Sequence, residues 1–150
     1  LDEALSNGAE FEIYVTESRP RMLGRKAARQ LAQRDGLDVT LTVDSAAGYY
    51  VSECDRLLLG MTCIVDDTLY NRVGTYQICT AAVDSDVPIT VTGAGSKLVE
   101  GGFAFQNEFR PPAEVMREPA DGFNLANPAY DATPTELLDT VVTDDQVYDY

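Results

Sequence analysis

Strand-like and helix-like runs alternate along this chain, and that alternation limits its fold more than any other feature. Residues 11–16 (FEIYVT) have the β-branched and aromatic content of a strand. Pro20 then suits a helix start. Leu23, Ala27, Ala28, Leu31 and Ala32 recur at helical spacing, while Arg21, Arg25, Arg29 and Gln33 face elsewhere. Gly36 closes that helix, and residues 39–43 (VTLTV) form the next strand. Asp44-Ser45 caps a short helix through Glu53. Residues 56–59 are a third strand, short and apolar as buried parallel strands are. Residues 63–70 read as a small hairpin turning at Asp66-Asp67. Gly74-Thr75 opens a helix with Ile78, Ala81 and Ala82 on its inner face, and residues 88–91 follow as a strand.

The regular pattern then stops. Residues 93–127 are a long irregular stretch carrying Phe103, Phe105, Phe109 and Phe123, and loops of that length are usually functional or contact surfaces. Residues 135–138 give a last short helix and residues 140–143 a last strand. Alternation of this kind predicts one α/β domain built on a parallel sheet. Ligands of such sheets bind beyond the carboxyl ends of the strands. Function is therefore expected at Glu17-Ser18-Arg19, Asp44-Ser45, Gly60-Met61-Thr62 and Thr92 to Lys97. Residues 1–8 read as the tail of a helix ended by Gly8, so the chain is expected to begin inside something larger.

Composition removes several chemistries. There is no histidine, which excludes Ser-His-Asp and Cys-His catalytic sets and any Cys/His zinc site. Cys54, Cys63 and Cys79 form no C-x-x-C pair and lie among apolar residues, so all three read as buried, inert thiols. No apolar run is long enough to span a membrane, and a reduced, cytoplasmic setting is the default. The 25 acidic residues outnumber 11 basic ones, giving a net charge of −14. That sign opposes direct binding of nucleic acid. Nine of the bases are arginine and two lysine; an acidic, lysine-poor surface suits a salt-rich cytoplasm such as that of a halophilic archaeon, where self-repulsion is screened.

Several residues offer themselves for chemistry. Arg19 stands where strand gives way to helix, near a helix N-terminus that favours an anion, and its guanidinium can grip a phosphate by two donors. Arg21, Arg25 and Arg29 solvate an exposed face. Thr92-Gly93-Ala94-Gly95-Ser96-Lys97 starts like a nucleotide loop, but Leu98 stands where a dinucleotide fingerprint needs glycine and no Gly-Lys-Ser/Thr ending is present. Lys97 either faces a phosphate or lies on the surface. Asn71 and Arg72, ahead of Gly74-Thr75, either bind a sugar phosphate with the free N–H groups of a helix start or form a plain helix cap. Asp66-Asp67 and Asp144-Asp145 are turn residues rather than a metal site.

Four segments in this order, Thr16-Glu17-Ser18-Arg19-Pro20, Val43-Asp44-Ser45-Ala46, Asn71-Arg72-Val73-Gly74-Thr75 and Asn127-Pro128-Ala129-Tyr130-Asp131-Ala132-Thr133-Pro134, resemble the C-terminal domain of the translation initiation factor 2B α/β/δ subunit family. That family includes ribose-1,5-bisphosphate and 5-methylthioribose-1-phosphate isomerases. The resemblance runs from about Phe11 to the C-terminus. It implies a Rossmann-like parallel sheet flanked by helices, truncated on its N-terminal side, with residues 1–10 ending a helix that leads into it. It implies a homodimer or a larger family-type oligomer, with Asn127, Pro128, Tyr130 and Asp131 near the contact, and no cofactor. The family's phosphate-binding Asn-Lys pair is matched by Asn71-Arg72, and a later lysine by Lys97. Its catalytic aspartate is matched by Thr62, which cannot ionise, and its catalytic cysteine would precede Leu1. The expected function is accordingly a non-catalytic, initiation factor 2B-like protein binding a sugar phosphate, a nucleotide monophosphate or a protein partner. The alternative is an aldose–ketose isomerase whose acid/base role has moved, for instance to Asp66 or Asp44. A third reading is an assembly surface alone.

Overall fold

Beginning with Phe11–Thr16, most of the expected strands form, but they are shared among three sheets. The computed structural model describes residues 2–102, 104–118 and 120–150. Leu1 and Phe103, assigned above to a helix tail and to the irregular stretch, lie outside them. The chain divides into two compact units, Leu1–Tyr50 and Val51–Tyr150.

In the first unit, α1 (Asp2–Ser6) ends in a turn where Gly8 takes φ 83°, a left-handed conformation natural to glycine. Strands β1 (Phe11–Thr16) and β2 (Leu37–Thr42) pair in parallel through α2 (Leu23–Leu31). Helix α2 starts later than Pro20 suggests, because Pro20 lies in the turn that precedes it and Met22 is the N-cap. Gly36 does not end the helix. The helix stops at Leu31, and Gly36, at φ 83°, turns the chain into β2. Gly24 lets α2 lie against the end of β1, since a Cβ there would stand 1.7 Å from the Thr16 carbonyl oxygen. A 3₁₀ turn (Asp44–Ala46) and α3 (Ala47–Val51) follow β2. Asp44 does not cap them: Val43 is the N-cap, and the Asp44 side chain is engaged elsewhere.

In the second unit, β3 (Leu57–Gly60), β6 (Ile89–Thr92) and β9 (Thr140–Val142) are parallel neighbours, and β10 (Val147–Asp149) adds an antiparallel edge. Helix α4 (Thr75–Asp84) covers a core of Leu57, Ile64, Leu69, Cys79, Ile89 and Val141. Its fully covered positions are Cys79 and Ala82, with Ile78 and Ala81 at the margin of the core. Asp139 secures the start of β6, accepting a bond from the Ile89 N–H at 2.7 Å. The expected hairpin is present as β4 (Cys63–Val65) and β5 (Thr68–Arg72), turning at Asp66 with φ 48°. It is the centre of a second four-stranded sheet, β7-β4-β5-β8, with β7 at Leu98–Val99 and β8 at Tyr130–Pro134. The α/β class with parallel sheets flanked by helices is thus present, together with this largely antiparallel sheet and the strands β7, β8 and β10, none of which was expected from sequence. The expected helix at residues 135–138 is a single 3₁₀ turn (Thr135–Leu137).

Candidate functional site

Register brings the candidate residues of the second unit together. Cys63 faces Tyr70 across β4 and β5, and Ile64 faces Leu98 across β4 and β7. Thr62 precedes Cys63, Asn71 follows Tyr70, and Lys97 precedes Leu98, so all three lie at one end of adjoining strands. The Thr62 N–H donates to the Tyr70 carbonyl at 3.1 Å, tying the end of β3 to this sheet. Lys97 is not a free surface residue. Its ammonium donates to the Met61 carbonyl at 2.7 Å, which places a cation just beyond the carboxyl end of β3. Gly93 follows β6 closely against Met61, where a Cβ would lie 2.7 Å from the methionine side chain.

Arg72 ends β5, with its guanidinium carbon 5.3 Å from the centre of the Tyr130 ring. The Asn71 amide donates to the Thr75 hydroxyl at 3.2 Å, and that hydroxyl donates to the Arg72 carbonyl at 2.7 Å. The helix start is different from either sequence expectation. Gly74 is the N-cap of α4, at φ 102°. The carboxylate of Asp131, from the neighbouring β8, accepts from the N–H groups of Gly74 at 2.7 Å and Tyr76 at 3.2 Å. An internal carboxylate therefore occupies the place where a phosphate was expected on the helix terminus. Burial holds the Asp131 pKa above the ordinary value, and these backbone bonds only partly offset it.

The thiols differ from one another. Cys79 is fully buried, and burial, with the neighbouring Asp131 charge, pushes its pKa up to about 12, so it is inert at neutral pH. Cys54 and Cys63 are only partly buried, against the expectation for all three. Burial raises the Cys63 pKa as well, while the Lys97 charge works in the opposite direction.

The first unit carries the turn with Arg19. Asp44 accepts from the N–H groups of Ser18 at 2.7 Å and Arg19 at 2.6 Å, bracing a turn in which Ser18 has φ 60°. Both Asp44 oxygens are thereby committed, which argues against Asp44 as a relocated acid or base. Arg25 is not merely solvated, since it pairs with the well-covered Glu17 carboxylate at 2.6 Å. An open cavity of about 400 Å³ at the amino ends of β1 and β2 is lined by Glu10, Glu12 and Asp38, a charge unsuited to phosphate.

The expected contact residues have partners within this chain. Asn127 is buried, and its amide donates to the Pro111 carbonyl at 3.1 Å and to Glu114 at 3.2 Å. Pro128 bridges to Phe109, Tyr130 pairs with Arg72 across the sheet, and Asp131 caps α4. Neither the Asp131 cap nor the Tyr130–Arg72 pairing carries a signal in local sequence, because the partners lie on a distant strand. Among the described residues, no three Cys, Asp or Glu side chains converge to hold a metal ion, and no helix is long and apolar enough to cross a membrane.

Parallel strands flanked by helices, beside a mixed sheet whose strand ends carry Asn71, Arg72 and Lys97, define an α/β protein. More particularly, the chain belongs to the initiation factor 2 subunit family, whose model matches residues 1–147. It is 34% identical to a ribose 1,5-bisphosphate isomerase of Haloterrigena turkmenica, over 96% of this chain and 49% of the relative. It is 35% identical to the enzyme of that name from Archaeoglobus fulgidus, over 96% of this chain and 48% of the relative. The chain thus spans about half the length of the curated relatives it matches. Among solved structures, 5-methylthioribose 1-phosphate isomerase from Pyrococcus horikoshii superimposes with TM-score 0.85 at 26% identity, covering 98% of this chain and 44% of that one. The translation initiation factor eIF-2B subunit delta from A. fulgidus gives TM-score 0.88 at 27% identity, covering 99% and 46%. These relatives correct the functional expectation drawn from Thr62. Likeness over nearly the whole chain to several proteins named ribose 1,5-bisphosphate isomerase favours an isomerase over a non-catalytic factor.

Proposed function

We propose that the protein containing this chain is an aldose–ketose isomerase of the ribose 1,5-bisphosphate type, and that this chain supplies its phosphate-binding strand ends. The likeness to ribose 1,5-bisphosphate isomerases at 34% and 35% identity carries the reading. The site geometry supports it. Arg72 and Lys97 offer charge and donors to a phosphate, while Asn71, next to Arg72 in β5, points to the other face of the strand, where its amide bonds Thr75 and offers a second donor.

Turning an aldose into a ketose moves hydrogen between neighbouring carbons and needs a group that takes and returns a proton. Thr62 cannot do this at neutral pH. Asp44 has both oxygens bound to backbone N–H groups, and Asp66 sits at the hairpin turn. In this reading the proton-moving groups come from the remainder of the protein, while these strand ends bind and orient the sugar phosphate. Arg19, on the turn braced by Asp44 in the first unit, is a phosphate-binding residue in its own right in this reading. The protein works as a homodimer or a larger family-type oligomer in a salt-rich cytoplasm, with Asn127, Pro128, Tyr130 and Asp131 near the contact. The strong exposure of Phe109 (71%), bridged to Pro128, supports a contact there.

The test is to incubate the full-length protein with ribose 1,5-bisphosphate and follow ribulose 1,5-bisphosphate, with 5-methylthioribose 1-phosphate in parallel. Ketose from the bisphosphate is expected, with KM raised about tenfold in Arg72→Ala, as for a lost charge-assisted bond. Absence of ketose from both sugars would overturn the reading.

A further inference from the structure

We propose that Tyr130 is a positioning residue whose ring holds the Arg72 guanidinium ready for the substrate phosphate. The inference rests on the isomerase reading above and deepens it. Arg72 and Tyr130 are directly opposed across β5 and β8, and the guanidinium lies over the ring at 5.3 Å from its centre. A cation–π contact engages the guanidinium through its charge and takes up no hydrogen-bond acceptor, so it does not compete with a phosphate for the N–H donors. None of the ion pairs among the described residues uses Arg72.

The ring is itself held from several sides. Phe105 meets it edge-on at 5.7 Å and stacks on Tyr70 at 3.9 Å with an interplanar angle of 13°. The Asn107 amide donates to the Tyr130 carbonyl at 2.7 Å and accepts from the Tyr130 N–H at 3.2 Å, where the peptide of another strand would otherwise pair. The next residue, Asp131, ties β8 to Gly74 and Tyr76 immediately beyond Arg72. A long, unrestrained side chain surrenders much rotamer freedom when it grips a ligand, and one already placed surrenders less. The Tyr130 ring thereby allows Arg72 to serve where the family resemblance leads one to expect a lysine.

The experiment uses the full-length protein and reads KM, kcat, calorimetric affinity for ribose 1,5-bisphosphate and thermal melting together. Tyr130→Leu is expected to raise KM and the dissociation constant roughly three- to tenfold, with kcat changed less than about twofold. Tyr130→Phe, which keeps the ring, restores both. In an Arg72→Ala background, Tyr130→Leu has no further effect on affinity, because the tyrosine acts through the arginine. A structural role alone would lower the melting temperature and weaken affinity equally in both backgrounds, and that additivity would overturn the proposal. Should Tyr130→Leu fail to fold, Phe105→Leu loosens the ring without touching β8; unchanged affinity in that variant also overturns the proposal. A wild-type protein that neither binds nor converts the bisphosphate would instead remove the isomerase reading, and this inference with it. An active wild type lacking the Arg72–Tyr130 coupling removes this inference alone.

Discussion

Asp131 shows how far one side chain can depart from the role its sequence position suggests. Within Asn127 to Pro134 it resembles a contact residue, yet its carboxylate accepts from Gly74 and Tyr76 and closes the N-terminus of α4. Replacing it with alanine removes a helix cap, at a cost of about 1 kcal/mol in an unfolding titration. Its pH dependence has a definite sign. The pKa is raised in the folded protein, first by burial, so the folded state holds the proton to higher pH than the unfolded chain does. The stabilisation linked to this group is complete below the ordinary value of 3.8 and is lost as pH rises through the higher folded value. Asp131→Asn removes that titration. The melting temperature of the wild type relative to this variant should therefore fall as pH climbs through the window; a constant difference would show that burial does not govern the carboxyl. At this scale the sequence singled out Asn71, Arg72, Lys97 and Thr62 as candidates but not what holds them. The ring beneath Arg72, the carboxylate over Gly74 and the carbonyl under Lys97 all come from distant positions, and local periodicity does not encode such pairs.

Among the elements, α2 carries the sharpest steric constraint. A methyl group on Gly24 would stand 1.7 Å from the Thr16 carbonyl oxygen, and a backbone atom cannot turn aside as a side chain can. Gly24→Ala should push α2 off the end of β1 and destabilise the fold by about 3 kcal/mol or more, read as a lower urea midpoint. A midpoint unchanged from wild type would mean that the helix can shift without cost. The strands β1 and the hairpin β4-β5 were legible because propensity and tertiary pairing agree there: FEIYVT is β-branched and aromatic, and Asp66-Asp67 marks a turn. Strand β8 was not legible. Asp131 and Ala132 are poor strand formers, and Pro134 has no N–H to donate, a feature that only an edge strand tolerates. Its extended form is imposed by pairing with β5, which no window of local sequence reveals. The late start of α2 has a similar origin, since Pro20 is spent on the turn braced by Asp44 rather than on the helix.

At the scale of the whole molecule, charge decides the conditions under which the rest operates. The chain carries a net charge of −14 from 25 acidic and 11 basic residues. At about 0.1 M salt the Debye length is about 10 Å, so like charges repel across neighbouring elements; at about 1 M it is about 3 Å and only close contacts persist. Buried apolar contacts such as Leu69, Ile89, Val91 and Val141 are indifferent to screening, so the salt dependence reports the acidic surface. The melting temperature of the full-length protein should rise by several degrees as KCl goes from about 0.1 to 1 M, and an unchanged value would exclude self-repulsion as a limit on stability. Substrate capture follows the same reasoning. In the proposed reading, a bisphosphate approaching this anionic chain would be repelled at long range and held by Arg72 and Lys97 only at contact. Screening removes the first effect before the second, because long-range terms decay fastest with added salt. Between about 0.1 and 1 M KCl, kcat/KM should therefore increase, opposite to the response of a cationic, steering active site; a monotonic decrease would show that the local arginine and lysine field, and not the net charge, governs encounter.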